Sequence, residues 1–162
     1  MTTSCVAIEI RPYASGDESA ICALFATVFG RPMSESYWAW RYRDHPAGGP
    51  FAELCWDGGR LAGHYAVCAA DLAVAGERAR ACLSMTTMVH PDYRGQGLFE
   101  RSAEALYDRL DADGFTMVMG FPNAQSNRGF LGKLGWSGIY ELPTMSLALE
   151  GARRPPVPPA VE

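Results

Sequence analysis

Apolar and polar positions change rhythm several times along the chain, and each change predicts a different element. Residues 7–11 alternate as a half-buried strand does, and Pro12 ends the run because its nitrogen cannot donate to a ladder. From Asp17, a residue able to cap a helix, Ile21, Leu24, Phe25, Val28 and Phe29 recur at offsets that place them on one helical face. Gly30 and Pro32 punctuate its end. A shorter helix is expected after Ser34, carrying Tyr37, Trp38, Trp40 and Tyr42, until His45-Pro46-Ala47-Gly48-Gly49-Pro50 breaks the pattern.

The rhythm then shortens. Residues 51–56 and 61–74 predict a hairpin about Asp57-Gly58-Gly59, where glycine accepts positive φ, and a turn at Ala75-Gly76-Glu77 leads into a third antiparallel strand over 78–89. Helical spacing returns at Leu98, Ser102 or Ala103, Leu106 and Leu110, and Asp113-Gly114 stops it. The short apolar run 115–119 follows a helix, so it is expected to lie parallel to the preceding strand and to be buried on both faces. A last helix over 125–134 ends at Gly135, and 136–140 with 144–149 are expected to close the sheet. Residues 1–150 form the expected domain, and 151–162 a proline-rich, flexible tail.

Composition narrows the possible roles. A chain of 162 residues with 48 % hydrophobic and 20 % charged residues can bury one sizeable core. Its net charge of -4 supplies no positive field for nucleic acid or an anionic membrane, and no apolar run is long enough to span a bilayer, so a cytoplasmic protein is expected. Cys5, Cys22, Cys55, Cys68 and Cys82 include no C-x-x-C pair, and His45, His64 and His90 are dispersed, so no metal site is expected.

The candidate chemistry begins at Gly95 and Gly97. Glycines where a strand hands over to a helix leave main-chain N–H groups uncovered, and the helix N-terminus adds partial positive charge, a combination that suits a pyrophosphate. The stretch Thr87-Met88-Val89-His90-Pro91-Asp92-Tyr93-Arg94-Gly95-Gln96-Gly97-Leu98-Phe99 resembles the acetyl-CoA motif of the GNAT N-acetyltransferase superfamily, Q/R-x-x-G-x-G/A, with Arg94 and Gly97 at its first and fourth positions. Phe99 departs from it, standing where Gly or Ala is usual. Phe121-Pro122-Asn123 through Lys133-Leu134-Gly135-Trp136 is similar to the family's second signature, in which an Asn opens the last helix.

The resemblance covers nearly the whole chain and implies an α/β (α+β) fold: a mixed, mostly antiparallel sheet with a splayed parallel strand pair, flanked by about four helices. It implies acetyl-CoA as co-substrate, held by Arg94, Gly95, Gln96, Gly97, Leu98 and Phe99 at the phosphates, by Met88 and Val89 along the pantetheine arm, and by Asn123 and Ser126 on the last helix. The function implied is transfer of an acetyl or other short acyl group to a primary amine of a small molecule, sugar or peptide. A non-catalytic acyl-CoA sensor and one half of a two-domain transferase are the alternatives. A homodimer would accord with similar proteins.

The tyrosine that often serves as acid in the family's last helix is missing, since its place falls on Phe130 or Leu131. Tyr93, Tyr107 or solvent are the substitutes. His64, with an ordinary pKa near working pH, and Glu53 are the candidate bases, each with a structural role as its alternative. For the acceptor, the resemblance points to Tyr37, Trp38, Trp40 and Tyr140, with Glu141 nearby, although aromatic residues at helical spacing also suit a core.

Overall fold

A computed structural model describes residues 7–143, 145 and 146. Five strands form a sheet in the order β1-β2-β3-β6-β7: Glu9–Pro12, Phe51–Asp57, Arg60–Ala69, Ala81–Val89 and Met117–Gly120. Leu72–Val74 and Glu77–Ala79, β4 and β5, make a separate two-stranded ribbon. The helices are α1 (Glu18–Phe29), α2 (Glu35–Trp38), α3 (Leu98–Ala112) and α4 (Ala124–Lys133). Neighbouring strands are antiparallel except β6 and β7, which run parallel. This is the mixed, mostly antiparallel sheet that the resemblance implied.

Strand alternation divides the core between two faces. On one, Ala66 and Cys68 of β3 meet Ile21, Leu24 and Phe25 of α1, with Trp38 and Tyr42. On the other, Tyr65, Val67 and Ala69 meet Ala103, Leu106 and Leu110 of α3 and Phe130 of α4. Each large apolar side chain buried this way contributes about 1.5–3 kcal/mol. Central β3, covered on both sides, is buried from Leu61 to Ala69. Among the described residues no helix is long and apolar enough to cross a membrane.

Several expectations are corrected. The runs 61–74 and 78–89 each break, because their exposed ends leave the sheet and pair with one another across Ala75 and Gly76, both at positive φ. Asp17 precedes α1 without capping it. Its carboxylate instead takes both guanidinium nitrogens of Arg11, at 2.8 and 2.9 Å, and the N–H of Ala14 at 2.7 Å. The aromatic helix after Ser34 is one turn of α2 continued by a π-helical turn, Ala39–Arg43, closed by the Asp44 N–H on the Ala39 carbonyl at 2.8 Å. Strand β7 is half-buried rather than enclosed. Residues 136–140 form no strand: Trp136 turns inward and the chain beyond it is exposed. The expected strand 144–149 lies mostly, and the tail 151–162 wholly, outside the described residues.

Candidate active site

The parallel pair is short. Its register runs from Ala81↔Met117 to Ser84↔Gly120, and there β7 ends while β6 continues to Val89. Beyond Ser84 the two chains part, leaving a cavity of about 260 Å³ lined by Ser84 to Thr87, by Gly120 to Asn123, and by Phe29, Ser126 and Phe130. Gly120 leaves room at the apex for the Trp136 ring, which a Cβ there would crowd at 3.2 Å.

Within β6 the register against β3 slips between His64↔Met88 and Ala66↔Met85, so Tyr65 opposes both Thr86 and Thr87. Such a bulge re-aims the strand. Thr86 has φ of 54°, a conformation that a β-branched residue rarely adopts. Past the bulge, the His90 N–H binds the Ala62 carbonyl at 2.8 Å, so alternation turns Met88 toward β3 and the N–H and C=O groups of Thr87 and Val89 toward the gap. Val89 thus stands where a pantetheine contact was expected. Met88 does not, since its side chain is buried in the α1-facing core and its main chain faces β3.

The gap leads to the glycine loop. Pro91–Tyr93 forms a single 3₁₀ turn, Gly95 and Gly97 have φ of 76° and 72°, and α3 starts at Leu98 with no side chain capping it. A Cβ at Gly95 would point into open space, and one at Gly97 would come no nearer than 3.9 Å to anything. These glycines therefore serve backbone conformation and exposed N–H groups rather than packing. Arg94 is exposed beside them, Gln96 turns back toward the Asp92 carbonyl at 3.4 Å, and the Leu98 side chain is buried. Phe99 swings toward α4, where its ring lies 5.1 Å from Phe130 and where a Cβ on Gly129 would approach it to 3.0 Å. Two ionic side chains also line the loop, Glu100 and Lys133, which pair with each other. Asn123 caps α4, accepting from the N–H groups of Gln125 and Ser126 at 3.0 and 2.9 Å, and with Ser126 it borders the gap.

The candidate acids and bases lie elsewhere. His64 is 1 % exposed: its Nδ1–H donates to the Thr86 carbonyl at 3.0 Å and its Nε2 accepts from the Trp38 indole N–H at 3.4 Å. Burial pushes its pKa down to about 4, so the ring is neutral with both nitrogens occupied, and it is not a cleft-facing base. Glu53 is also buried, on the α3 face of β2. Burial raises its pKa, and Arg109 Nε lies 2.7 Å from it, close but not aligned as a hydrogen bond. The Tyr93 hydroxyl donates to Asp57 at 2.6 Å, which raises its pKa and ties it to the β2–β3 turn, away from the parting strands. Of the acceptor candidates, Trp38 is core; Tyr37, Trp40 and Tyr140 are exposed, and the first two pair at 5.6 Å between ring centroids. Among the described residues no group of three potential ligands could hold a metal.

A sequence profile described as an acetyltransferase (GNAT) domain matches residues 9–139. The chain belongs to the GNAT acetyltransferase family. Its members move an acyl group from acyl-CoA to an amine, and this domain is an N-acetyltransferase. Solved structures with the same fold include a Trypanosoma brucei acetyltransferase (20 % identity, 87 % of this chain and 100 % of that one, TM-score 0.68). Also similar are the glucosamine-6-phosphate N-acetyltransferase of Arabidopsis thaliana (15 % identity, 88 % and 99 %, TM-score 0.66) and the aminoglycoside N-acetyltransferase AAC(6')-Iy in complex with CoA (10 % identity, 91 % and 99 %, TM-score 0.71). No curated protein matches the chain by sequence.

In this GNAT domain, of the two α4 positions on which the tyrosine's place falls, Phe130 is buried and Leu131 is exposed. Close by is a series of linked hydroxyls that sequence reasoning missed apart from Tyr107. Ser84 Oγ donates to the Tyr65 hydroxyl at 3.1 Å, the Tyr65 and Tyr107 hydroxyls are 2.7 Å apart, and the Trp136 indole N–H donates to Tyr107 at 2.9 Å. Burial raises the pKa of both tyrosines, so they are protonated at neutral pH. Of the three hydroxyl residues, Ser84 alone lines the gap.

Proposed function

We propose that the domain binds acetyl-CoA with its phosphates on the loop Arg94 to Phe99 and its pantetheine arm between β6 and β7, and that a primary amine attacks the thioester directly in a ternary complex. One observation carries this reading: the open edge of β6, with Thr87 and Val89 turned outward, runs continuously into the glycine loop at the start of α3. An extended arm can add to such an edge as a strand would. The acceptor approaches from the α1–α2 side, past Tyr37 and Trp40.

The described residues lining the gap supply hydroxyls and main-chain groups but no ionisable side chain. Rate enhancement therefore comes from holding the amine against the thioester and from an N–H donor at the developing oxyanion. Nitrogen forms its bond to the acyl carbon, the C–S bond breaks with its electron pair going to sulfur, and water or a hydroxyl carries the ammonium proton away and returns one to the thiolate.

The test is calorimetric titration of the chain with acetyl-CoA and CoA, repeated on Gly97→Glu. That substitution places bulk and negative charge on the loop, and binding should be lost while the fold is kept. Thiol release across a panel of primary amines then reads the transfer. A folded native chain that binds neither ligand would overturn the proposal.

A further inference from the structure

Thr86 is the most constrained residue beside the gap. Its φ of 54° is unfavourable for a branched side chain, and neither neighbour on the strand is a glycine that could share the distortion. What holds it there comes from the opposite, α1-facing core. The Tyr42 hydroxyl donates to Thr86 Oγ1 at 2.6 Å, and His64 Nδ1–H donates to the Thr86 carbonyl at 3.0 Å. His64 is itself fixed by the Trp38 indole N–H on its other nitrogen. Trp38, Tyr42 and His64 are each no more than 2 % exposed, and their rings contact one another with centroids 5.5 to 6.5 Å apart. Trp38 and Tyr42 are four residues apart, so one face of this helical segment carries both into the core.

We infer that His64, with Tyr42 and Trp38, is a positioning device that clamps Thr86 in the left-handed conformation, so that the bulge keeps the main-chain N–H of Thr87 aimed at the thioester carbonyl. A neutral imidazole suits this role because it donates to a carbonyl on one side and accepts from an indole on the other, a pairing that no aliphatic side chain can make. The clamp explains a buried histidine on the central strand that the transfer reaction itself does not use. It rests on the proposed placement of acetyl-CoA, and its test is chosen so that the two can fail separately.

The measurement is the thioester carbonyl stretch of carbonyl-¹³C-labelled acetyl-CoA bound to the chain, by isotope-edited infrared spectroscopy, alongside calorimetric titration with CoA. A hydrogen bond to the carbonyl lowers its frequency. In the native chain the stretch should fall relative to free acetyl-CoA. In His64→Leu and in the gentler Tyr42→Phe the shift should shrink or vanish, with CoA affinity held within about threefold, roughly half of one tenfold step in free energy. Glycine adopts positive φ without penalty, so His64→Leu/Thr86→Gly should regain the shift without the clamp. With any amine that the native chain acetylates, kcat should follow the infrared shift while KM for acetyl-CoA stays put, the loss being on the order of a hundredfold for a displacement of about 1 Å. Equal shifts in the native chain, His64→Leu and Tyr42→Phe would overturn the clamp and leave coenzyme binding intact. Failure of the native chain to bind CoA would instead overturn the coenzyme reading. A Thr86→Gly change that rescues nothing, in a folded double variant that binds CoA, would also refute the clamp.

Discussion

Glu100 sits awkwardly beside the loop proposed to hold the phosphates, and replacing it should tighten CoA binding. Its carboxylate lies in the first turn of α3, 3.9 Å from where a Cβ on Gly97 would be, and it pairs with Lys133, the lysine that lines the loop. Burial alone would raise its pKa, but the hydrogen bond from Lys133 draws it below the usual carboxylate value, so it is ionised at neutral pH. A carboxylate about 6 Å from one phosphate charge repels it by roughly 0.7–2.8 kcal/mol for effective dielectrics of about 80 to 20. Salt screening at this partly open site favours the lower half of that range. Glu100→Gln removes the repulsion and frees the Lys133 ammonium for the phosphates, so affinity for CoA should rise about 3- to 10-fold. Stability should move the other way, because an acidic residue in a first helical turn contributes about 0.3–1 kcal/mol through the helix dipole. Calorimetry at low and moderate salt, with thermal melts of the unliganded chain, reads both signs. Equal or weaker CoA binding by a folded Glu100→Gln chain would refute the reasoning.

Three further outcomes follow from other parts of the molecule. Gly129→Val should cost about 1–3 kcal/mol in urea unfolding because its side chain meets the Phe99 ring, and the same change made in a Phe99→Ala background, where the space is open, should cost much less. Arg11 holds the Asp17 pKa below its ordinary value; a carboxylate whose pKa is lower in the folded chain stabilises it above the unfolded value, near 3.9, and the contribution is lost as pH falls through the folded value. Melting temperature should therefore fall with acidification below about pH 5 less steeply in Asp17→Asn than in the native chain, and parallel curves would exclude the pair as a source of acid lability. With no ionisable side chain among the described residues lining the gap, the pH profile of kcat/KM should follow the ionisation of the acceptor amine, moving with it across amines of different pKa; a profile fixed regardless of the amine would point to a protein group instead.

The order of most elements and the glycine loop before α3 were legible because each rests on a local signal. Ile21, Leu24 and Phe25 occupy one helical face, and Gly95 and Gly97 mark a loop whose positive φ other residues rarely adopt. The apolar run before Gly120 announced a strand parallel to its predecessor, as observed. What was not legible depends on contacts between distant segments. No local pattern distinguishes a histidine facing a cleft from one held between Trp38 and Thr86, and His64 is the latter. Asp17 has the residue type of a helix cap, but Arg11, arriving from β1, takes its carboxylate. The bulge at Thr86 carries no glycine to advertise it, and Tyr65 and Ser84, far apart in sequence, join Tyr107 only because β3, β6 and α3 stack.

The same contrast bears on how the domain divides its chemistry. Side chains beside the gap are small, hydroxylated or apolar, whereas the demanding polar contacts of Tyr42, His64 and Trp38 lie behind it in the core. Direct attack by an amine on a thioester needs no nucleophile from the protein, so functional side chains can be used to shape the main chain instead. A main-chain N–H has no identity in the sequence: every residue but proline carries one, and only its direction matters. Direction is set by the bulge, and the bulge is secured by residues whose types look catalytic but whose surroundings are structural. That is why the tyrosine missing from α4 and the absence of a carboxylate among the described residues lining the gap do not leave the site without means, and why candidate bases chosen by residue type, His64 and Glu53, are both found buried with partners of their own.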